Sequence, residues 1–117
     1  MFFLKKKGPC LGVDAVEIKR FTLILESEKN DFIEKVFSKK EIAYCESFKD
    51  KATHYAGFFA AKEAISKALG VNKYPFIEIE ISHTKEGAPF ALYKGKKLLV
   101  TVSITHTEET AIAVAIL

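Results

Sequence analysis

The sequence predicts an α+β fold: N-terminal helices, one of them long and central, packed on a mainly antiparallel sheet drawn from the C-terminal half. Two observations predict it. Through the first half, apolar residues recur at spacings of three and four, whereas from Phe76 onward they alternate. Helices therefore come first and hairpin-linked strands follow, which is the order of an α+β chain. The 117 residues carry no Pro/Gly/Ser-rich linker or shift of composition, so 1–117 is expected to be one domain.

Each element has its own signal. Residues 11–18 alternate loosely and read as a strand running into a turn, and helix faces follow at 21–25 and 32–37. Ser38-Lys39-Lys40-Glu41 has the form of a capping box and opens a helix carrying Ile42, Ala43 and Tyr44. The strongest helix starts at Lys51 or Ala52 and runs to Leu69, with Tyr55, Phe58, Ala61, Ile65 and Leu69 along one side and Gly70 as its C-cap. Phe76, Ile77, Ile79 and Ile81 make a strand with Glu78 and Glu80 on its other face. Gly87-Ala88-Pro89 and Lys94-Gly95-Lys96-Lys97 are turns on either side of the strand at 90–93. Segments 98–104 and 111–117 close the sheet through a hairpin at 106–110. The ten Phe residues are expected to build the core.

Composition narrows the function. Lys and Arg total 18 against 15 for Asp and Glu, a net charge of +3, which suits an acidic partner or a phosphorylated ligand. The basic runs at 5–7 and 94–97 lack interleaved aromatic residues, so nucleic acid is not an expected partner. No apolar run approaches the roughly 18 to 20 residues of a membrane span. Met1-Phe2-Phe3-Leu4 precedes Lys5-Lys6-Lys7, the reverse of a secretory signal, and neither membrane insertion nor secretion is expected. Cys10 and Cys45 form no metal spacing or disulfide framework, which points to a reducing cytoplasm.

Taken singly, the polar residues have ordinary readings. Glu63 and Lys67, four apart on the long helix, suit a solvated ion pair. Asp14 suits a turn or cap, and His106 a structural or exposed histidine. Their surroundings say more. Gly12-Val13-Asp14-Ala15-Val16-Glu17-Ile18-Lys19-Arg20, Phe37-Ser38-Lys39-Lys40-Glu41, Phe59-Ala60-Ala61-Lys62-Glu63-Ala64-Ile65-Ser66-Lys67-Ala68-Leu69-Gly70 and Val102-Ser103-Ile104-Thr105-His106-Thr107 occur in that order. With Ile77-Glu78-Ile79 and Gly87-x-Pro89, this strongly resembles the small holo-acyl carrier protein synthases of the 4'-phosphopantetheinyl transferase family, from Gly12 to Leu117.

The resemblance implies transfer of 4'-phosphopantetheine from coenzyme A to a serine of an acidic apo acyl carrier protein, giving 3',5'-ADP. It implies that Asp14 and Glu63 hold Mg²⁺, for which Mn²⁺ is a possible substitute; a hard cation with carboxylate ligands would neutralise the pyrophosphate. Lys67 then faces the leaving phosphate, or pairs with Glu63 in the empty protein. The proton of the attacking serine goes either to a water on the cation or to Glu63. Lys62 lies about 100° around the helix from Glu63 and is read as a peripheral phosphate contact or a surface charge. His106 is expected near coenzyme A phosphates. Ser103 and Thr105 are either hydrogen-bond donors to the same ligand or ordinary strand hydroxyls, and Arg20 either meets the carrier protein or is a surface charge. His83, in the similar word Ile81-Ser82-His83-Thr84, is expected to be exposed at the outer end of a strand.

The resemblance further implies a homotrimer with sites between neighbours. Three departures stand out: Phe58 replaces an Arg common in the family, segment 22–31 is more acidic than usual, and the stretch before Gly12 is longer, read as an extra arm or an extended first strand. The alternative reading is a non-catalytic homologue that binds coenzyme A or carrier protein. Joint retention of Asp14, Glu63, Lys67 and His106 argues against it.

Overall fold

The structure is a computed structural model that describes residues 10–29, 31–70 and 76–117. The N-terminal arm expected before Gly12 lies almost wholly outside the described residues. In chain order the elements are β1 (Leu11–Glu17), α1 (Ile18–Glu26), α2 (Phe32–Val36), α3 (Lys39–Glu46) and α4 (Lys51–Leu69). A 3₁₀ turn (Phe76–Glu78) then leads into β2 (Ile79–His83), β3 (Pro89–Tyr93), β4 (Lys96–Lys97), β5 (Thr101–His106) and β6 (Thr110–Ile116). The expected α+β class holds. The strands form two antiparallel sheets, β1-β6-β5 and β2-β3-β4, and the first recruits the N-terminal strand to its edge.

Strand and loop boundaries shift where the backbone finds partners. Residues 76–78 coil into a 3₁₀ turn before β2 begins, and Lys96 and Lys97 pair with Tyr93 and Leu92 instead of remaining in the turn. His106 sits in β5, opposite Ala111, and not in the hairpin loop. The hairpin is tighter than expected because Thr107 organises it: its hydroxyl accepts from the backbone N–H of Glu109 and Thr110, and its own N–H donates to the Thr110 carbonyl.

Helix α4 is the central support, buried on both its sheet-facing and its helix-facing sides. Gly57, Ala61, Ala64 and Ala68 form the small-residue stripe under the β1-β6-β5 sheet, whose inward residues on β6 are Ala111, Ala113 and Ala115. The approach is closest at Gly12, where a Cβ would overlap the carbonyl oxygen of Ala64 and crowd the Ala68 nitrogen. Only glycine permits β1 to lie there. The helix ends as expected on Gly70 in the left-handed conformation, φ 73°.

The other side of α4 meets aromatic rings and one buried ion pair. Phe59 packs against Phe21, Phe32 and Phe76, and Tyr55 meets Phe37 edge-on at 5.1 Å. The capping box forms: Ser38 Oγ accepts from Glu41 N–H, and Glu41 Oε1 accepts from Ser38 N–H. The same carboxylate takes a second and a third hydrogen bond, from Ile81 N–H and from Lys62 Nζ at 2.6 Å.

Lys62 therefore requires a correction. It is neither a surface charge nor within reach of a ligand phosphate, because it is fully buried, and Nζ also donates to the carbonyls of Val36 and Phe76. Burial pushes the Glu41 carboxyl up and the Lys62 ammonium down, while their mutual attraction and the hydrogen bonds oppose both shifts. With three acceptors around Nζ, the charged pair is the state this geometry fits.

Two lysines on one helix thus make a clean comparison. Lys62→Met should cost about 3 to 5 kcal/mol, since it strands a buried carboxylate. Lys67→Met, at an exposed position, should stay within about 0.5 kcal/mol. Urea unfolding of both variants checks this, and equal losses would contradict it.

Candidate functional site

Two groups of side chains stand apart from the packing. The first lies where β1 crosses α4. Even-numbered residues of β1 face the helix, so the Gly12 seat carries Asp14, two positions on, to the helix surface. Lys67 Nζ donates to the Val13 carbonyl at 3.0 Å and lies 3.3 Å from Asp14 Oδ1. The ion pair seen for Lys67 is thus with Asp14 on β1, whereas the sequence suggested Glu63 on its own helix.

Glu63 is half-buried beside this pair. Burial, and next the negative charge of Asp14, push its carboxyl above the usual range, and the charges of Lys67 and Arg20 partly offset the rise. Asp14, Glu63, Lys67 and Arg20 therefore act on one another across β1, α1 and α4. Arg20 is exposed but seated: its guanidinium lies 5.1 Å from the Phe59 ring centre and 5.9 Å from that of Phe32. It lines a shallow hollow with Lys19, Leu23 and Ile24 on α1.

The second group lines a cleft of about 200 Å³ between α3, α4, β5 and the β2–β3 hairpin. His106 and Thr105 border it together with His54, Gly57, Phe58 and His83. Ser103 does not: it is exposed on β5, short of the strand end where Ile104, Thr105 and His106 line the cleft. His83 departs most from expectation. Its ring is half-buried and stacks on Tyr44 at 4.6 Å and on Phe58 at 5.7 Å, so it shares the cleft of His106.

Sequence reading missed His54, gave Glu41 only its capping role and placed His83 outside the site. For Glu41 a signal was present, a lysine inside the otherwise apolar stretch Phe58-Phe59-Ala60-Ala61-Lys62 that needed a buried partner. For His83 the only signal was the word it shares with His106, and for His54 there was none, because only the tertiary fold brings α4 and β2 to the end of β5.

Comparison with known proteins agrees with this architecture. Residues 10–116 match the family model for the 4'-phosphopantetheinyl transferase superfamily. The holo-[acyl-carrier-protein] synthase of Clostridium acetobutylicum is 42% identical, over 92% of this chain and 94% of that protein. The one from Thermoanaerobacter sp. is 38% identical, over 91% and 84%. Among solved structures, a holo-(acyl-carrier-protein) synthase from Bacillus anthracis in complex with CoA (3',5'-ADP) superposes with a TM-score of 0.78 at 29% identity, over 91% of this chain and 92% of that one. The Helicobacter pylori enzyme in complex with coenzyme A gives 0.77 at 34%, over 90% and 96%. With residues 10–116 matched by the family model and a relative 42% identical over 92% of its length, this chain belongs to the 4'-phosphopantetheinyl transferase superfamily.

Proposed function

We propose that this chain transfers the 4'-phosphopantetheine group of coenzyme A to a serine hydroxyl of an apo acyl carrier protein. The observation that carries the reading is the gathering of Asp14, Glu63 and Lys67 at the β1–α4 seat. It is supported by relatives named holo-[acyl-carrier-protein] synthase and by similar chains solved with coenzyme A. In the reaction the serine oxygen bonds to the phosphorus that carries pantetheine. The bond from that phosphorus to the 3',5'-ADP oxygen breaks, and the serine proton passes to Glu63 or to a water.

The donor set fits a hard divalent cation, Mg²⁺ or Mn²⁺. Two carboxylates crowd each other's charge, and among the described residues no group of three His, Cys, Asp or Glu converges, so substrate oxygens and water would complete the shell. When bound, such a cation neutralises charge on the pyrophosphate. Asp14 and Glu63 would hold it. Lys67, tethered by the Val13 carbonyl, keeps an ammonium beside them for the leaving phosphate. The histidine cleft, with stacked aromatic faces, suits the nucleotide end of coenzyme A.

The two groups occupy different regions of one chain, which supports a site completed between copies. The outer face of the β1-β6-β5 sheet favours such an assembly: Leu11, Val13 and Ile116 are 63%, 53% and 45% exposed, and Leu11 pairs with Ile116 across the strands. We take the assembly to be a homotrimer, each chain one domain. A reducing cytoplasm suits its two free thiols. Among the described residues no helix is long and apolar enough to cross a membrane.

Asp14→Ala and Glu63→Ala should each abolish Mg²⁺-dependent transfer. Mass spectrometry reads it as loss of the carrier's gain of about 340 Da, the group moved in this cation-assisted step. Near-normal turnover in either variant removes that residue from the site, and a wild-type chain that binds coenzyme A without turnover favours the non-catalytic reading. Arg20→Glu should raise KM for an acidic carrier protein roughly tenfold and flatten its salt dependence. Val13→Arg should give a monomer by light scattering and lose transfer, because a charge would face the apolar sheet of the next copy.

A further inference from the structure

All three histidines of the chain meet in one place. His54 from α4, His83 from the end of β2 and His106 from the end of β5 line the same cleft, and no Lys, Arg, Asp or Glu is among the described residues lining it. Any positive charge these walls offer an anion is therefore carried by imidazole, a group that is mostly neutral above about pH 7.

Two features decide how these rings can meet a phosphate oxygen. His106 Nδ1 lies 3.1 Å from the Thr107 carbonyl oxygen, a contact that needs the proton on Nδ1. The neutral ring then has only a lone pair at Nε2, and it can donate there to a phosphate oxygen only after taking up a second proton. His83 is wedged against Tyr44 and Phe58, and burial, then the nearness of His54, hold its titration below the ordinary histidine range. The other titratable groups around it are the Tyr44 phenol and the Lys40 ammonium from α3, with the Glu80 carboxylate from its own strand, which share an adjoining hollow with it. His54 itself has Nε2 3.4 Å from Asp50 Oδ1 and stacks on Phe48.

We propose that this cleft acquires its positive charge by taking up protons on His83 and His106 as the 3'-phosphate of coenzyme A enters, which makes discrimination between coenzyme A and its 3'-dephospho form proton-linked. This rests on the reading of coenzyme A as donor, whose 3'-phosphate is its one phosphate monoester. Its dianion favours the charged rings, so binding takes up protons and tightens as pH falls toward the histidine range. An arginine-lined cleft would show no such dependence, since guanidinium stays charged throughout.

Transfer kinetics with coenzyme A and with 3'-dephospho-coenzyme A, on one carrier protein, test the linkage. The window runs from about pH 6.5 to about 8.5, above the second phosphate pKa of about 6. The ratio of the dephospho-coenzyme A KM to the coenzyme A KM should be highest at the acid end and fall roughly tenfold across the window, the loss of a charge-assisted hydrogen bond. Calorimetry of coenzyme A binding near pH 7.5, in buffers of different ionisation enthalpy, should show protons taken up, and fewer with the dephospho form. In the His83→Gln/His106→Gln double variant the ratio should be low and flat. A constant ratio in the wild type, or a slope retained by the double variant, overturns the inference while the transferase reading stands. Absence of transfer from either donor overturns that reading and the inference with it.

Discussion

The ammonium of Lys62 fixes the position of four segments at once. It reaches the end of α2 through the Val36 carbonyl, α3 through Glu41 and the turn before β2 through the Phe76 carbonyl. Glu41 extends the link to β2 itself through the Ile81 N–H. Desolvating two charges costs several kcal/mol each, so the pair is tolerable only with nearly every donor and acceptor satisfied. That requirement is also what makes it specific. A rotation of α4 about its axis would break three hydrogen bonds to Nζ together. Because Glu63 is the next residue, the rotation that inserts Lys62 into the core turns Glu63 about 100° away from it, toward Asp14.

On the opposite side of the same helix, the Gly12 seat sets the height of β1 above α4. The two constraints are complementary. The buried pair fixes the rotation of the helix, and the small-residue seam fixes the approach of the strand. Together they bring Asp14 and Lys67, 53 positions apart, to 3.3 Å without a long loop to hold them. The histidine-lined cleft depends on the same helix, since Phe58, Gly57 and His54 lie on α4 roughly one and a half to two and a half turns before Glu63.

What could be read from the sequence was the local part. The Ser38–Glu41 box, the Gly70 cap and the long helix need only neighbouring residues, and each formed where its pattern placed it. Asp14, Glu63 and Lys67 were legible through the words around them. Their wiring was not: Lys67 chose Asp14 because a strand arrives from outside the helix, and helical spacing alone offered only Glu63. Lys62 looked like a surface charge because its partner lies 21 residues earlier, and a capping-box glutamate already has a local role. His83 looked peripheral because its strand ends beside a turn. The structure sets the end of that strand against α3, where Tyr44 receives the ring.

The alanine-on-alanine seam beneath the first sheet has an effect on sequence drift. Alanine has no rotamers, so no neighbour can swing aside to admit a larger group, and a gained methylene must move backbone. Change at Ala64, Ala68 or Ala113 is thereby limited to glycine or a group of nearly the same size. The outward residues of the same strands meet no such limit within one chain. The inner surface of this sheet is thus nearly closed to variation, and the carboxylate seat it supports moves little when residues elsewhere in the chain change.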